Sequence, residues 1–454
     1  MKGIAFISGF LGGLLALGTN LPAMAQVTSD GTTGTNVNLN GNNFNILNGI
    51  QKGNNLFHSF KEFSIPTGGS ATFNNSSDIV NIINRVTGGN ISNIDGLIKA
   101  SGNANLFLIN PAGIVFGENA RLDIGGSFLG STAESILFED GFEFSATDTN
   151  STPLLTINVP IGLQFGTAAN AITVDKSNLV VNPGKSLGFL GGNLLFSGSY
   201  IGAEAGQLSL GSVAASSQVS FDSNTFEMDY GKTTAFQDIT FTQGNIADVS
   251  GNGGGSFQVQ SRVFQLDNSF LGAANYGDTD GSTVSIRASE RIEITGTDNL
   301  FPSFIFIDAF GTGRGNHLLI ETDRLSLSNE AFITANTYER GAGGGITINS
   351  KDILIFGNPD GNGVPTGIVS DTYAQGAGGD IRITAEQLIV QNRSFIFANS
   401  YGIGTNTGTG GNINLNVNNL ALRNGSQVAT VTFGKGSAGN ITVTATESVE
   451  ITGF

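Results

Sequence analysis

The second half of the chain repeats one pattern of hydrophobic and polar positions. A glycine-rich tetrad precedes alternating apolar and polar residues in Gly341-Ala-Gly-Gly-Gly-Ile-Thr-Ile, Gly376-Ala-Gly-Gly-Asp-Ile-Arg-Ile, Gly408-Thr-Gly-Gly-Asn-Ile-Asn-Leu and Gly436-Ser-Ala-Gly-Asn-Ile-Thr-Val. These copies start 35, 32 and 28 residues apart, and weaker ones sit at Gly251 and around Thr279 and Gly311. Alternation with period two marks half-buried strands. Within one repeat three such runs follow one another, as in Ile346-Thr-Ile, Ile353-Leu-Ile-Phe and Ile368-Val-Ser, separated by turn residues. Three short strands in about 30 residues predict one coil of a right-handed parallel β-helix, an all-β solenoid whose inward apolar residues stack from coil to coil. A propeller blade needs four strands in ~40 residues and does not fit this glycine-rich length. The tetrad would serve a turn of positive φ or a close approach between backbones.

Residues Val27 to about Tyr200 have the same β character without the period. Strand candidates are Ala71-Thr-Phe, Ile79-Val-Asn-Ile-Ile, Ala104-Asn-Leu-Phe-Leu-Ile and Gly113-Ile-Val-Phe, with a polar loop from Ser145 to Pro153 and strand-like sequence resuming at Val159. The organisation expected is a leader at 1–25, a specialised β-helix domain at 26–200, and repeats at 201–454. Lys2, the apolar stretch from Ile4 to Leu17 and Ala23-Met24-Ala25 have the form of a cleavable export signal. The chain stops at Phe454 in mid-repeat without a polar cap, as a truncated solenoid would.

Composition supports this picture. Glycine supplies 66 of 454 residues, about twice the usual share, whereas charged residues make up 12%, about half the norm. With 39% hydrophobic residues the chain has the apolar surface that disordered chains lack. A net charge of −16 opposes binding to phosphate backbones and anionic lipid surfaces, which excludes nucleic acid as a partner. No cysteine is present, so stability is expected from a continuous core.

Candidate chemistry is sparse. Two histidines, His58 and His317, and no cysteine leave no zinc or nucleophilic constellation, so no catalytic residue, cofactor or metal site is expected. Asp278-Thr-Asp280-Gly and Asp360-Gly-Asn362-Gly read as turns, with a weak calcium site as their alternative. A β-helix enzyme acting on polysaccharides would need clustered charges on one sheet face, but the acidic residues fall mainly in apparent loops, such as Glu134, Glu139, Asp140 and Glu143. The opposed class is a structural or adhesive rod whose polar outward positions suit multivalent contacts with surface glycans or other cells.

Four ordered segments carry a family resemblance: Asn55-Leu-Phe-His-Ser-Phe-Lys-Glu-Phe63, Ile83-Asn-Arg-Val-Thr-Gly88, Asn105-Leu-Phe-Leu-Ile-Asn-Pro-Ala-Gly-Ile-Val-Phe-Gly117 and Gly125-Gly-Ser-Phe-Leu-Gly-Ser-Thr-Ala133. Together, over roughly Val27 to Ala133, they resemble the filamentous haemagglutinin N-terminal domain, the secretion domain of two-partner exoproteins. The resemblance implies recognition in the periplasm by the POTRA domains of a dedicated outer-membrane barrel, and export to the surface or medium of a Gram-negative-type bacterium. The family's Asn-Pro-Asn-Gly signature maps to Asn110, Pro111, Ala112 and Gly113, with Ala112 in place of the second Asn. Its Asn-Pro-Asn-Leu signature falls on Asn74, Asn75, Ser76 and Ser77, a poor match. These four, with Asn84 and Arg85, form the candidate partner-recognition region.

Read from the residues alone, Asn110-Pro-Ala-Gly113 is a β-turn, and Arg85 a snorkelling or capping side chain. Phe57, Phe60 and Phe63, spaced by three, read as a helical face or a chain of core aromatics.

Overall fold

The computed structural model describes residues 26–148, 156–296, 302–358, 364–402 and 407–453. The leader, the Asp360-Gly-Asn362-Gly segment and the far part of the Ser145 to Pro153 loop lie outside them. The described elements are all strands, stacked mostly in parallel as a β-helix. In the earlier coils three strands make one turn, as in Ser186–Gly191, Leu194–Ser197 and Tyr200–Gly202. Each pairs with its counterpart in the next coil: Ser186 beside Gln207, Leu194 beside Ile239, Tyr200 beside Ile246.

From Ser256 onward the first two runs of each repeat are one long strand rather than two short ones. Ser256–Asp267, Thr283–Thr295, His317–Ser328, Ile346–Phe356 and Ile381–Gln391 each span both faces. Buried residues step by two, then by three at the bend: Ile381, Ile383 and Ala385 are followed by Leu388 and Val390. The chain thus turns a corner without leaving the ladder. A short third strand closes each coil, and its central residue fills the interior in the column Leu271, Ile305, Ile333, Ile368 and Ile396.

The repeated glycines mark close approach. None of Gly341, Gly344, Gly376, Gly379, Gly408, Gly411, Gly436 and Gly439 has a positive φ. A Cβ on Gly379 would collide with the carbonyl oxygen of Gly344, one on Gly411 with that of Gly379, and one on Gly439 with that of Gly411. A second column runs in the same way through Gly341, Gly376, Gly408 and Gly436. Both lie at the fixed spacing Gly-x-x-Gly, which brings successive backbones together at the corner.

The outer surface of the repeats carries ladders. Rings of Tyr276, Phe310, Tyr338, Tyr373, Tyr401 and Phe433 stack one per coil, with centroids 5.3, 4.5, 5.0, 5.2 and 4.8 Å apart. A second stack, Phe270, Phe304 and Phe332, is interrupted at Gly367, where the ring of Phe395 leans over the missing side chain. Beside the tyrosines runs a buried column of Asp308, Asn336, Asp371 and Asn399. Each Oδ1 accepts the backbone N–H of the next coil, at 2.8 Å from Asn336, 3.0 Å from Asp371, 2.7 Å from Asn399 and 2.9 Å from Val431.

Burial pushes the Asp308 and Asp371 carboxyls up to about 6, although the backbone N–H groups oppose the shift. A carboxyl raised on folding stabilises the protein below its unfolded pKa, and that contribution disappears as pH rises through about 6. The double variant Asp308→Asn/Asp371→Asn is therefore expected to gain about 2–4 kcal/mol at pH 7.5 and almost nothing at pH 4. Denaturant titrations at both pH values check this, and equal gains at both would refute the burial argument. At Asp371 the new amide would face the Tyr373 hydroxyl, as Asn336 faces Tyr338 and Asn399 faces Tyr401.

The first coil is covered. Thr35–Asn40 pairs antiparallel with Asn43–Asn48, and Val27–Ser29 pairs antiparallel with Asn55–Phe63, so this end is closed by strands that point the other way. Asn55–Phe63 bulges at Lys61, since Thr28 faces Glu62 while Ser29 faces Phe60. Phe60 and Phe63 consequently both point into the helix, and Phe57 points out. The three phenylalanines are core aromatics on a strand, not a helical face.

Two insertions leave the helix at the same corner, between the first and second strands of their coils. They supply Ser135–Phe138, Glu143–Ser145 and Pro160–Gln164, then Gln218–Phe221 and Met228–Asp229, which join as one antiparallel sheet. This sheet packs over the outward residues Phe57, Ile83, Phe107, Leu129 and Leu190. The strand Asn81–Val86 is accordingly buried on both faces.

Charged residues are not confined to loops. Arg262 bridges Asp238 at 2.7 Å and Glu290 at 2.8 Å, Arg287 meets Glu321 at 2.5 Å, and Arg423 meets Glu450 at 2.7 Å, most of them on the long strands. These exposed pairs lie between coils, where solvent screening leaves them little net effect on stability.

Candidate partner-recognition site

Arg85 stands in the middle of Asn81–Val86 and is 1% exposed, so it neither snorkels nor reaches solvent. Its Nε donates to Ser59 Oγ at 2.8 Å, one Nη to Thr32 Oγ1 at 3.1 Å and the other to the Ser145 carbonyl. The guanidinium lies 4.4 Å from the ring centroid of Phe144. Ser59 in turn donates to Asp30 at 2.5 Å, and Thr87 donates to the same carboxylate oxygen at 3.0 Å. Burial raises the Asp30 carboxyl, but hydrogen bonds from Ser59, Thr32 and Thr87 outweigh it and hold the group below its usual range. Burial lowers the Arg85 pKa, against the opposing charges of Asp30 and Asp148. One side chain thereby ties the N-terminal cap, the helix wall and the inserted sheet together.

Neighbouring Asn84 is also fully buried. Its Nδ2 donates to the Phe107 carbonyl at 2.8 Å, while Oδ1 has no hydrogen-bond partner among the described residues. His58, beside Thr35 Oγ1 at 3.0 Å, is held down to about 4 by burial and is neutral at physiological pH.

Asn110-Pro-Ala-Gly113 forms the corner between Asn105–Ile109 and Ile114–Phe116. Gly113 N–H donates to the Asn110 carbonyl at 3.0 Å, closing a β-turn, and Ala112 N–H donates to Asn110 Oδ1 at 3.0 Å. Asn110 is 0% exposed, and its Nδ2 donates to the Asn90 carbonyl and Ser92 Oγ, both at 2.9 Å. Gly113 takes φ +123, a conformation that favours glycine. Pro111 and Ala112 are half-buried, and the Pro111 carbonyl accepts Asn170 Nδ2 at 2.7 Å.

Asn74, Asn75, Ser76 and Ser77 lie on a different corner, after Ser70–Phe73. Asn74, Ser76 and Ser77 are exposed. Half-buried Asn75 exchanges two 3.0 Å hydrogen bonds with the Ser101 backbone of the next coil. Ser76 Oγ donates to Asp78 at 2.5 Å; this bond and one from Gln51 hold that carboxyl below its usual range. The candidate region thus separates into a buried pair, a structural turn and one exposed loop.

Sequence reading missed an asparagine ladder at a third corner. Asn81 Nδ2 donates to Asn55 Oδ1 at 3.0 Å, Asn105 Nδ2 to Asn81 Oδ1 at 3.1 Å, and Ser127 N–H to Asn105 Oδ1 at 2.9 Å. The signal was present: Asn55-Leu-Phe, Asn81-Ile-Ile and Asn105-Leu-Phe each place an Asn immediately before an apolar run. Asp280 Oδ1 accepts the Arg314 N–H at 2.9 Å, and among the described residues no three acidic or histidine side chains converge as metal ligands.

The model of the TPS secretion domain matches residues 25–259, more than half of the chain. Among solved structures, the HMW1 secretion domain from Haemophilus influenzae is similar at 18% identity with a TM-score of 0.53, covering 90% of this chain and 99% of that one. The filamentous hemagglutinin secretion domain also matches, at 13% identity and a TM-score of 0.32, covering 72% of this chain and 95% of that one. No curated protein sequence matches the chain. The HMW1 likeness supports a shared β-helical fold, and the match over residues 25–259 shows that this chain belongs to the TPS secretion domain family of two-partner-secreted exoproteins.

Proposed function

We propose that residues 26 to about 259 address the chain to the periplasmic POTRA domains of a dedicated outer-membrane barrel, and that the repeats beyond form an adhesive rod on the cell surface or in the medium. Family membership over residues 25–259 carries this reading, since two-partner exoproteins are secreted through the outer membrane of Gram-negative bacteria. The exposed loop at Asn74, Ser76 and Ser77 and the half-buried Pro111 and Ala112 are the surfaces proposed for the barrel; Asn75 holds the loop, Asn110 and Gly113 hold the turn, and buried Asn84 and Arg85 are proposed to act indirectly by fixing the wall, cap and inserted sheet. The rod is proposed to engage surface glycans or other cells through many weak contacts. Coil-to-coil pairing supports folding from the capped end as chain emerges, which would hinder its return.

Export with and without a co-expressed partner barrel tests the reading. Asn110→Ala removes two hydrogen bonds to the neighbouring coil and is expected to lower stability by about 2–3 kcal/mol and to reduce export. Asn74→Ala/Ser76→Ala/Ser77→Ala should leave stability within ~0.5 kcal/mol of wild type, as surface changes usually do, while reducing partner-dependent export. Export that is indifferent to the barrel would overturn the proposal.

A further inference from the structure

A cavity of about 400 Å³ opens at the head of the tyrosine stack, where the family-matched region meets the repeats. Tyr200, Glu204, Asp248 and Tyr276 line it together with Asn182 and Ser250. Gly202 and Gly251 keep the floor low; a Cβ on Gly202 would press on the Tyr200 ring, and one on Gly251 would press on Ala205. Strand register sets this arrangement, because Gly202 pairs with Asp248 and Gly251 bridges to Asn275, the residue before Tyr276. Phe310 stacks on Tyr276, whose side chain nevertheless remains 57% exposed; Tyr200 is 38% exposed.

The charge in this cavity is unbalanced. No Lys, Arg or His lines it, and neither Glu204 nor Asp248 has an ion-pair partner among the described residues. Asp248 Oδ1 accepts the Ser250 N–H at 2.9 Å, which orients the carboxylate. Burial, and then the charges of Asp248 and Glu204, push the Tyr200 phenol above its ordinary value, so both carboxylates act on the same small space. Two electron-rich rings and two acceptor-only groups complement a cation with a flat or compact head.

We propose that this pocket binds the guanidinium or ammonium group of a basic side chain presented by a partner protein, held between Tyr200 and Tyr276 and neutralised by Asp248 and Glu204. A neutral sugar could use the rings and would donate hydroxyls to the carboxylates, but it would leave two negative charges uncompensated in a chain that already carries −16. The overall charge would also draw basic segments toward the pocket.

The test is titration of the full mature chain with N-acetyl-arginine amide, followed by calorimetry and by tyrosine emission. Saturable binding is expected that weakens with salt and falls at least ~10-fold in Asp248→Asn and in Glu204→Gln, the scale of one lost charge contact. Tyr276→Ala should weaken it to a similar degree, and an unchanged thermal midpoint in the two carboxylate variants separates loss of binding from loss of fold. Equal binding of the uncharged N-acetyl-citrulline amide, or binding of methyl glucoside in place of the arginine probe, would overturn the proposal, as would no saturable binding. None of these outcomes depends on the partner barrel, so they are distinct from a failure of the export reading.

Discussion

Gly379→Ala is expected to be among the most damaging single-methyl changes in this chain, with a loss of at least ~4 kcal/mol, the range reserved for strain that the fold cannot relax. The new Cβ would occupy the space of the Gly344 carbonyl oxygen, and the obstacle is backbone rather than the end of a flexible side chain. Moving it requires the long strands Ile346–Phe356 and Ile381–Gln391 to separate along their shared ladder. Gly244→Ala is the comparison: its φ of +75 is unfavourable for alanine, but nothing lies within 4 Å, so it should lose only ~1–2 kcal/mol. Hydrogen exchange suits this test better than one global midpoint, because a solenoid can open locally. Exchange in the two flanking strands should accelerate in Gly379→Ala alone. Wild-type protection there would show that the coils have room to spare.

Arg85→Met is the second large effect expected, about 3–5 kcal/mol, the cost of breaking a buried charged contact and stranding its partners. Methionine fills much of the volume but leaves Ser59, Thr32 and the Ser145 carbonyl without their donor, and Asp30 without a nearby positive charge. Arg85→Lys should recover little, since an ammonium on a flexible stem cannot reach three separated acceptors or lie flat on Phe144. The damage should appear first as release of the inserted sheet and the N-terminal cap, read as new proteolytic sites around Ser145 and Thr32. If the lysine variant matched wild type, the fork geometry would not be what holds these elements.

The sequence showed what is local. Alternation, the Gly-x-x-Gly spacing and the Asn-Pro turn are each written within a few consecutive residues, and each appears where its chemistry places it. The fused strand was not legible because the bend at Ala385-Glu386-Gln387 carries no glycine or proline. It is made by a change in the step between buried positions. The inserted sheet was hidden for a different reason: its strands come from residues 135–145, 160–164 and 218–229, each too short to announce a partner.

Arg85 illustrates the same limit at the candidate site. A lone arginine in an apolar run reads as surface, and only the convergence of Thr32, Ser59 and Ser145, up to 60 residues away, makes burial affordable. Asn110 was read correctly as a turn because its bonds to Ala112 and Gly113 are local; its bonds to Asn90 and Ser92 belong to the stack and had no local signature.

Near-identical coils carry a hazard of misalignment. A folding chain could dock the segment from Gly408 where that from Gly376 belongs, and the glycine columns, with their equal spacing, would accept the error. The interrupted phenylalanine stack resists it. Gly367 leaves a notch that the ring of Phe395 enters from the following coil, and Gly272 leaves another that takes Phe306. A coil seated one place early would bring a side chain where a notch should be, or leave a notch empty. These small defects in the repeat act as addresses, and through them a monotonous ladder can specify one alignment of its rungs.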